Sequence, residues 1–528
     1  MKMTMTMKKM KKKMKKRITM RMTHAAVAAV LALMSAAASG VRVYAATITV
    51  SAGDDLQAAL DRARPGDIVV LEPRATFTGN FVLPLRDGSR PIIIRTGTPD
   101  SRLPGSTSRI GPEHADLLPK LRSPNTQPAL RTAPGTRGWR LLGIEFVGNG
   151  QAGDIVTLGD GSNAQRDRED LPGDLLLDRV LMRGDPERGQ KRGIALNSGA
   201  TTIRNSYIAD IRANGQESQA IAGWNGSGPY VIENNFLEAA GVNILFGGAD
   251  PAIPDLVPTD ITIRHNHITK NVEWRGSRWT VKNLLELKNA RQVLIEGNLL
   301  ENCWSAAQPG YAVLFTVRNS GGRAPWATIE NVMFRNNAVK HSAGGVNILG
   351  IDNTAPSQTA NRITIQNNLF EDINHRKWGG NGVFLQIGQG AENVTIDHNT
   401  IIQSGNVVTA YGSGNGRTMP GFRFTNNMAQ HNAYGIFGNG VGVGMKAIDV
   451  YFPDGTIRAN VLAGGQASRY PSGNFFPSMQ QFLADFVNAA GGDYRLNARS
   501  AYRRAGTDGA DLGVLMDLLN RQLAGQDQ

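Results

Sequence analysis

Four charged residues lie at short spacing near the middle of the chain: Glu286 and Lys288 in Glu286-Leu287-Lys288, Arg318 thirty residues after the lysine, and Asp352 thirty-four residues further on. A lysine and an arginine on neighbouring strands stand roughly 5 Å apart at the backbone. Two cations that close disfavour each other's charge, and because arginine stays protonated the lysine is expected to give way. A lysine that is neutral near working pH is a general base. That suits removal of a proton from a carbon beside a carboxylate, as in β-elimination from a uronic acid, with Arg318 binding the carboxylate or stabilising the enolate-like charge. Hydrolysis would need two carboxylates instead. Glu286 and Asp352, two strand spacings or about 9.6 Å apart, fall near the upper end of the roughly 6.5–9.5 Å that an inverting mechanism uses. The third reading has no catalysis: Glu286, Lys288 and Arg318 form a surface ion-pair network on a glycan-binding or surface protein.

Whichever reading holds, the residues must be placed by a repeating scaffold. A phrase of the form apolar, two residues, Asn, one residue, apolar recurs, as in Ile232-Glu233-Asn234-Asn235-Phe236-Leu237 and Ile263-Arg264-His265-Asn266-His267-Ile268. It returns around Asn298, Asn337, Asn368, Asn399, Asn427 and Asn460, and Ser206 and Arg179 take its place in two earlier copies. From Ser206 the steps are 29, 31, 32, 39, 31, 31, 28 and 33 residues. The step is too short for a strand-helix-strand unit, and the flanking residues alternate with period 2, so each step is one coil of three short strands and three turns. Stacked coils make an all-β parallel β-helix, a solenoid. The asparagines are expected to adopt the left-handed backbone of a tight turn and to hydrogen-bond along the axis.

One strand per coil can be aligned on its inward residues: Leu285 and Leu287, Phe315 and Val317, Leu349 and Ile351, Leu385 and Ile387. The outward face then carries two columns, Ala195, Ala222, Leu245, Glu286, Thr316, Gly350, Gln386, Thr409 and Asn197, Trp224, Gly247, Lys288, Arg318, Asp352, Gly388, Tyr411. Charge gathers in the coils of 286–352, where the turns 248–260, 319–327 and 353–360 are also long, as expected of a walled cleft. Trp224, Asn225, Asp352, Gln386, His341 and Tyr411 are the expected substrate contacts, Trp224 as a stacking surface. His341 and His375, in similar turns beside the strip, are read as turn residues or a proton-transfer pair, and His265 and His398, each preceding a repeat asparagine, as structural. The metal ligands are undetermined. Asp250, Asp255 and Asp260 make their loop the candidate for calcium, which seeks oxygen ligands, although Pro251, Pro254 and Pro258 break it up and no EF-hand spacing exists.

With this repeat pattern the chain resembles the right-handed parallel β-helix superfamily of pectate lyases and related carbohydrate-active proteins. The resemblance implies export, a polysaccharide substrate and a cleft along one strand face. Lys288 and Arg318, on successive coils of one face, look like the lysine and arginine of the alginate-lyase and chondroitinase-B branch, which implies a catalytic base and acid. The acidic residues that hold calcium in that branch sit further before the lysine than Glu286 does. The superfamily also holds hydrolases and binding proteins, so a polysaccharide lyase is the first expectation, a glycoside hydrolase the second and a non-catalytic glycan-binding protein the third.

The rest of the sequence bounds this reading. Residues 1–45 hold eleven of the 57 Lys and Arg and no acid, which leaves 46 basic against 44 acidic residues in the remainder. Eleven of the net +13 charges therefore belong to the leader, and nucleic-acid binding loses its main argument. Lys8 to Arg17, the short apolar run Ala25 to Ala38 and Val43-Tyr44-Ala45 read as an export signal, with a mature chain from about Ala46 that is secreted or periplasmic. No transmembrane anchor is expected, and a monomer is. The single cysteine, Cys303, excludes an internal disulfide framework. A helix from Asp54 over Leu56, Ala59, Leu60 and Ala63 is expected to cap one end of a β-helix spanning 46–490, with a second amphipathic stretch at 480–488 and a closing segment at 491–528. Residues 97–136 read as a surface excursion.

Overall fold

The structure, a computed structural model, describes residues 7, 9–16, 45–150, 152–412, 414 and 416–524. Residues 7 and 9–16 are helical and exposed and belong to a unit, 1–46, separate from the unit 47–528. The apolar run Ala25–Ala38 and Val43-Tyr44 of the expected cleavage site lie outside the described residues.

Within the larger unit, the described strands build three long sheets of 14, 13 and 13 strands, and successive coils add one strand to each. One coil runs through Ala290–Glu296, Leu299–Cys303 and Tyr311–Thr316. Each of these pairs in parallel with its counterparts in the coils before and after. This is a right-handed parallel β-helix. Alternation turns Val293, Ile295, Leu300, Val313 and Phe315 inward, and with their equivalents they form one apolar core along the axis. Burying an aliphatic or aromatic side chain of this size contributes about 1.5–3 kcal/mol.

At the corner between the first and third sheets, side-chain amides stack along the axis. Asn235 Nδ2 donates to Asn266 Oδ1 at 3.0 Å, Asn266 to Asn298 at 3.0 Å, Asn298 to Asn337 at 2.9 Å, and the series continues through Asn368, Asn399, Asn427 and Asn460 to Asn474. Each amide also holds a backbone carbonyl of the preceding coil; Asn298 Nδ2 donates to Ile263 O at 2.9 Å. The left-handed backbone belongs to the residue before each of these asparagines: Asn234 (φ 52°), His265 (φ 55°), Asn336 (φ 54°), Asn367 (φ 53°) and His398 (φ 51°). Arg179 (φ 54°) is such a preceding residue, and Val180, whose N donates to Ser206 Oγ, takes the column position that the repeat reading gave to Arg179. Small polar side chains tolerate that backbone because they bond locally. The column residue instead has to bury an amide that satisfies both neighbours.

The helix Leu56–Arg62 covers the first coil with Leu56, Ala59 and Leu60 buried. Its N-cap is Asp55, which accepts from Ala58 N, whereas Asp54 accepts from Ser51 N. The far end of the core is covered by the helix Met445–Tyr451, whose Ala447, Ile448 and Tyr451 join the core; the sequence reading looked for that cap in the amphipathic stretch at 480–488 instead. The expected amphipathic stretch at 480–488 divides into a helix, Met479–Ala484, and a strand, Phe486–Asn488. The C-terminal segment does not close the last coil. It folds back along the asparagine corner, where Gly513 N donates to Asn426 O, Leu515 N to Asn367 Oδ1, and Gln522 O meets His265 Nδ1 at 2.9 Å. The excursion at 97–136 is shorter than expected, because Lys120–Arg122 and Leu130–Thr132 are coil strands.

Asn298→Ala removes the acceptor for Asn266 and three donations, to Ile263, Glu296 and Asn337. We expect a loss of about 3 kcal/mol in denaturant unfolding of the chain from Ala46, and a smaller loss of about 1 kcal/mol for Asn271→Ala, which removes only the cap of the short turn Val272–Trp274.

Candidate functional site

The second of the three sheets carries the charged strip. Its outward cross-strand neighbours run Arg131, Thr157, Ala195, Ala222, Leu245, Glu286, Leu314, Asn347, Gln386 and Thr409. Two coils differ from the sequence alignment. Glu286 lies beside Leu314 rather than Thr316, a slip of two residues. Asn347 rather than Gly350 lies beside Gln386, a slip of three that also reverses the faces: Val346 and Ile348 are the core residues there. Tyr311–Thr316 is buried on both faces, so its apolar run gave no alternation from which to count.

Glu286 is on the outward side yet its side chain has 0% exposure, and neither carboxylate oxygen accepts a hydrogen bond from a described residue. Its neighbour is Lys288, 17% exposed, with Nζ 3.1 Å from Oε2. The expected cation pair is therefore replaced: the charge nearest the Lys288 ammonium is a buried carboxylate. Arg318 is adjacent at the backbone, its N donating to Lys288 O at 3.0 Å. Its Nη1 turns to Asn353 Oδ1 (2.7 Å) and Asp352 Oδ1 (3.3 Å), while Nε and Nη2 donate to no described residue. Arg318 is 34% exposed, so those donors can meet an anion.

Asp352, expected as a substrate contact or a hydrolytic acid, is buried and anchors a loop. Its oxygens accept from Asn319 N (2.7 Å), Thr354 N (2.9 Å) and Thr354 Oγ1 (2.8 Å). Burial alone would raise this carboxyl, but the Thr354 and Asn319 hydrogen bonds and the Arg318 charge outweigh it and hold it below the usual range. Asn225 is likewise consumed, its Nδ2 on Asp160 O and Gln165 O and its Oδ1 on Ala252 N and Ile253 N. His341 lies in Ala338–Ser342, on the third sheet and so not on the strip, with Nδ1 3.1 Å from Asp372 Oδ2. His375 bonds Ser404 Oγ at 2.7 Å, and the two histidines have separate partners. Trp224 is half-buried, with Nε1 on Gly161 O and the Arg192 guanidinium 4.8 Å from its ring centre. Gln386 accepts from the Tyr311 hydroxyl at 3.0 Å, and Asn381 donates to that hydroxyl. Tyr411 ends the strand Val408–Tyr411 beside Gly388. Burial pushes Tyr311 and Tyr411 up to about 12, against a lowering effect of Arg318 on Tyr411.

Both edges of the strip are walled. On the edge where the chain enters, Trp274, Val281 and Trp304 pack with Trp279 and Trp378. On the edge where it leaves, the long turns tie to each other. Asp250 accepts from Gly321 N and Arg323 N, Trp326 Nε1 donates to Leu256 O, and Asn319 Nδ2 to Pro356 O. Asp250 is thus spent on a loop-loop contact and does not fit a calcium ligand.

Sequence reasoning missed three features of the same face. Glu217 pairs with Lys282. Burial alone would raise the Glu217 carboxyl, but the Lys282 hydrogen bond and the charges of Lys282 and Lys288 hold it below the usual range. Arg192 bonds Asp154 at 2.8 Å and Gln219 at 3.1 Å. Beyond them a cavity of about 610 Å³ is lined by Arg131, Asp154, Thr157, Asp160 and Lys191 among others. Arg131 and Thr157 continue the outward column toward the N-terminal coils, where it was not aligned; the others sit at strand starts and in turns, outside the columns that period 2 can align.

No family model and no curated protein matches the chain. Among solved structures, a mannuronic-acid-specific polysaccharide family 6 lyase from human gut microbiota is similar at a TM-score of 0.53 and 13% identity. That match covers 83% of this chain and 93% of that one. The catalytic unit of a GH87 α-1,3-glucanase from Streptomyces thermodiastaticus strain HF3-3 is similar at a TM-score of 0.47 and 13% identity, with 82% and 70% covered. At these identities the likeness is one of fold.

Removing one member of a buried ion pair leaves the other uncompensated. Lys288→Met should destabilise the chain from Ala46 by about 3 kcal/mol in denaturant titration, and adding Glu286→Gln should restore most of that loss. Additive losses in the double variant would mean that the two groups do not pair.

Proposed function

We propose that the protein is an exported polysaccharide lyase that cleaves a uronate-containing glycan by β-elimination on the second-sheet face. The observation that carries this reading is Lys288 at the surface end of a buried carboxylate, 3.1 Å from Oε2, with Arg318 next to it on the following coil. A proton moved from Nζ to Glu286 leaves a free amine on Lys288. It also leaves a neutral pair in a buried place, where two charges cost most to desolvate. The amine then takes the proton from the sugar carbon beside the carboxylate. Arg318, held protonated, offers Nε and Nη2 to the substrate carboxylate and stabilises the enolate-like charge. The bond to the departing glycosidic oxygen breaks as the C=C bond forms, and the Lys288 ammonium returns its proton to that oxygen. This gives the lysine both proton transfers, because an arginine does not release its proton at ordinary pH.

The basic leader with its short apolar run supports export, and among the described residues no helix is long and apolar enough to cross a membrane. The similar lyase from human gut microbiota agrees with this substrate class. The walled strip and the cavity toward the N-terminal coils suit a polymer lying along the axis. A hydrolase built on Glu286 and Asp352 has less support, since one carboxylate is buried against Lys288 and the other is fully hydrogen-bonded.

Mature protein from Ala46 mixed with a panel of uronate polysaccharides should raise absorbance near 235 nm. Lys288→Arg keeps a cation beside Glu286 but cannot supply a neutral amine, so it should fold normally and lose about 100-fold or more in rate. Full activity in Lys288→Arg would remove the lysine from the chemistry. New reducing ends without absorbance would replace the lyase with a hydrolase.

A further inference from the structure

Lys270 follows the third-sheet strand His267–Thr269 and turns its side chain inward, with only 1% exposure. Its Nζ donates to Ala239 O, Ala240 O, Gly241 O and Asn283 O, each at 2.9 Å, and to Asn243 Oδ1 at 3.3 Å. Five oxygens thus converge on one ammonium that has three protons to share. Three of them are consecutive carbonyls from the turn between Phe236–Ala239 and Val242–Phe246. Turning successive carbonyls toward one buried point is how a protein replaces the hydration shell of a cation.

None of the five is a carboxylate oxygen, and distances of 2.9–3.3 Å exceed the 2.3–2.6 Å typical of calcium. The cage has the size and neutrality suited to a singly charged ion. Among the described residues no group of three or more His, Cys, Asp or Glu could hold a metal. The cage also lies beneath the candidate site. Asn283, which contributes a carbonyl, is three residues before Glu286, and the charges of Lys270 and Glu286 act on each other. Burial pulls the lysine down to about 8, against the raising effects of Cys303 and Glu286.

We infer that the cage around Lys270 is a monovalent-cation site filled by the chain's own ammonium, a tethered ion that holds the Ala239–Gly241 turn and places its positive charge close to Glu286. The chain therefore carries in covalent form what another protein would take from solution. Cutting the tether exposes an exchangeable site for ammonium, methylammonium or potassium.

The test reads stability, so it does not depend on lyase activity. Lys270→Ala in the full mature chain should melt well below the parent in tetramethylammonium chloride. Its thermal midpoint should rise saturably with ammonium, methylammonium or potassium chloride at equal ionic strength, while the parent does not respond. A folded variant with the same midpoint in all four salts would overturn the proposal. The parent protein provides a second measurement that needs no variant to fold. With ¹⁵N-labelled lysine, one side-chain NH₃⁺ signal protected from solvent exchange at pH 6 supports the tethered ion, and its absence contradicts it.

Discussion

The structure depends on keeping successive coils in register at one corner. A parallel sheet by itself permits slippage, since its hydrogen bonds are evenly spaced and each strand is only a few residues long. The buried amides from Asn235 to Asn474 remove that freedom, because each must meet the next amide and a carbonyl of the preceding coil at once. A slip of one residue would bury an amide without partners at every coil, costing about 1–3 kcal/mol each. With the asparagine corner set, the three strands of a coil have determined faces, and the second sheet presents Glu286, Asn347 and Gln386 in one line.

This rigidity lets charges be buried at chosen points. Glu286 has no exposed surface, and Lys270 has almost none, yet each carries a group that prefers water. Both are tolerable only because fixed partners face them, Lys288 for the carboxylate and five oxygens for the ammonium. The loops obey the same rule. Asp250 and Asp352 are spent on backbone N–H groups of neighbouring turns, which makes the wall beside the strip a set of anchored segments, and Arg318 keeps Nε and Nη2 for an anionic ligand.

Much of the fold was legible because the asparagine phrase marks the coils from Asn235 to Asn460 at one corner. The left-handed residue was misplaced by one position, since phrases such as Asn234-Asn235 offer two candidates and only burial tells them apart. The strip was less legible. Glu286 and Lys288 were aligned from Leu285 and Leu287, whose alternation is clean. Thr316 was misaligned because Tyr311–Thr316 is apolar on both faces, and Gly350 because Leu349 is buried although Val346 and Ile348 are the core residues. Asn225 and Asp352 looked like contacts because their partners come from turns of unpredictable path. His341 lay beyond reach since its distance from the strip depends on the corner between two sheets. The helix Met445–Tyr451 escaped notice because it is short, a Gly-rich stretch at 435–444 precedes it and Pro453-Asp454-Gly455 follows it.

We propose that the second-sheet face around Lys288 and Arg318 receives a uronate, and a crystal structure of Lys288→Arg soaked with an oligouronate would show it. A sugar carboxylate is expected within hydrogen-bond distance of Arg318 Nε or Nη2, with the adjacent ring carbon facing residue 288 and the chain running toward Arg131. An oligosaccharide bound on another sheet, or along this face with its carboxylates turned away from Arg318, would contradict it.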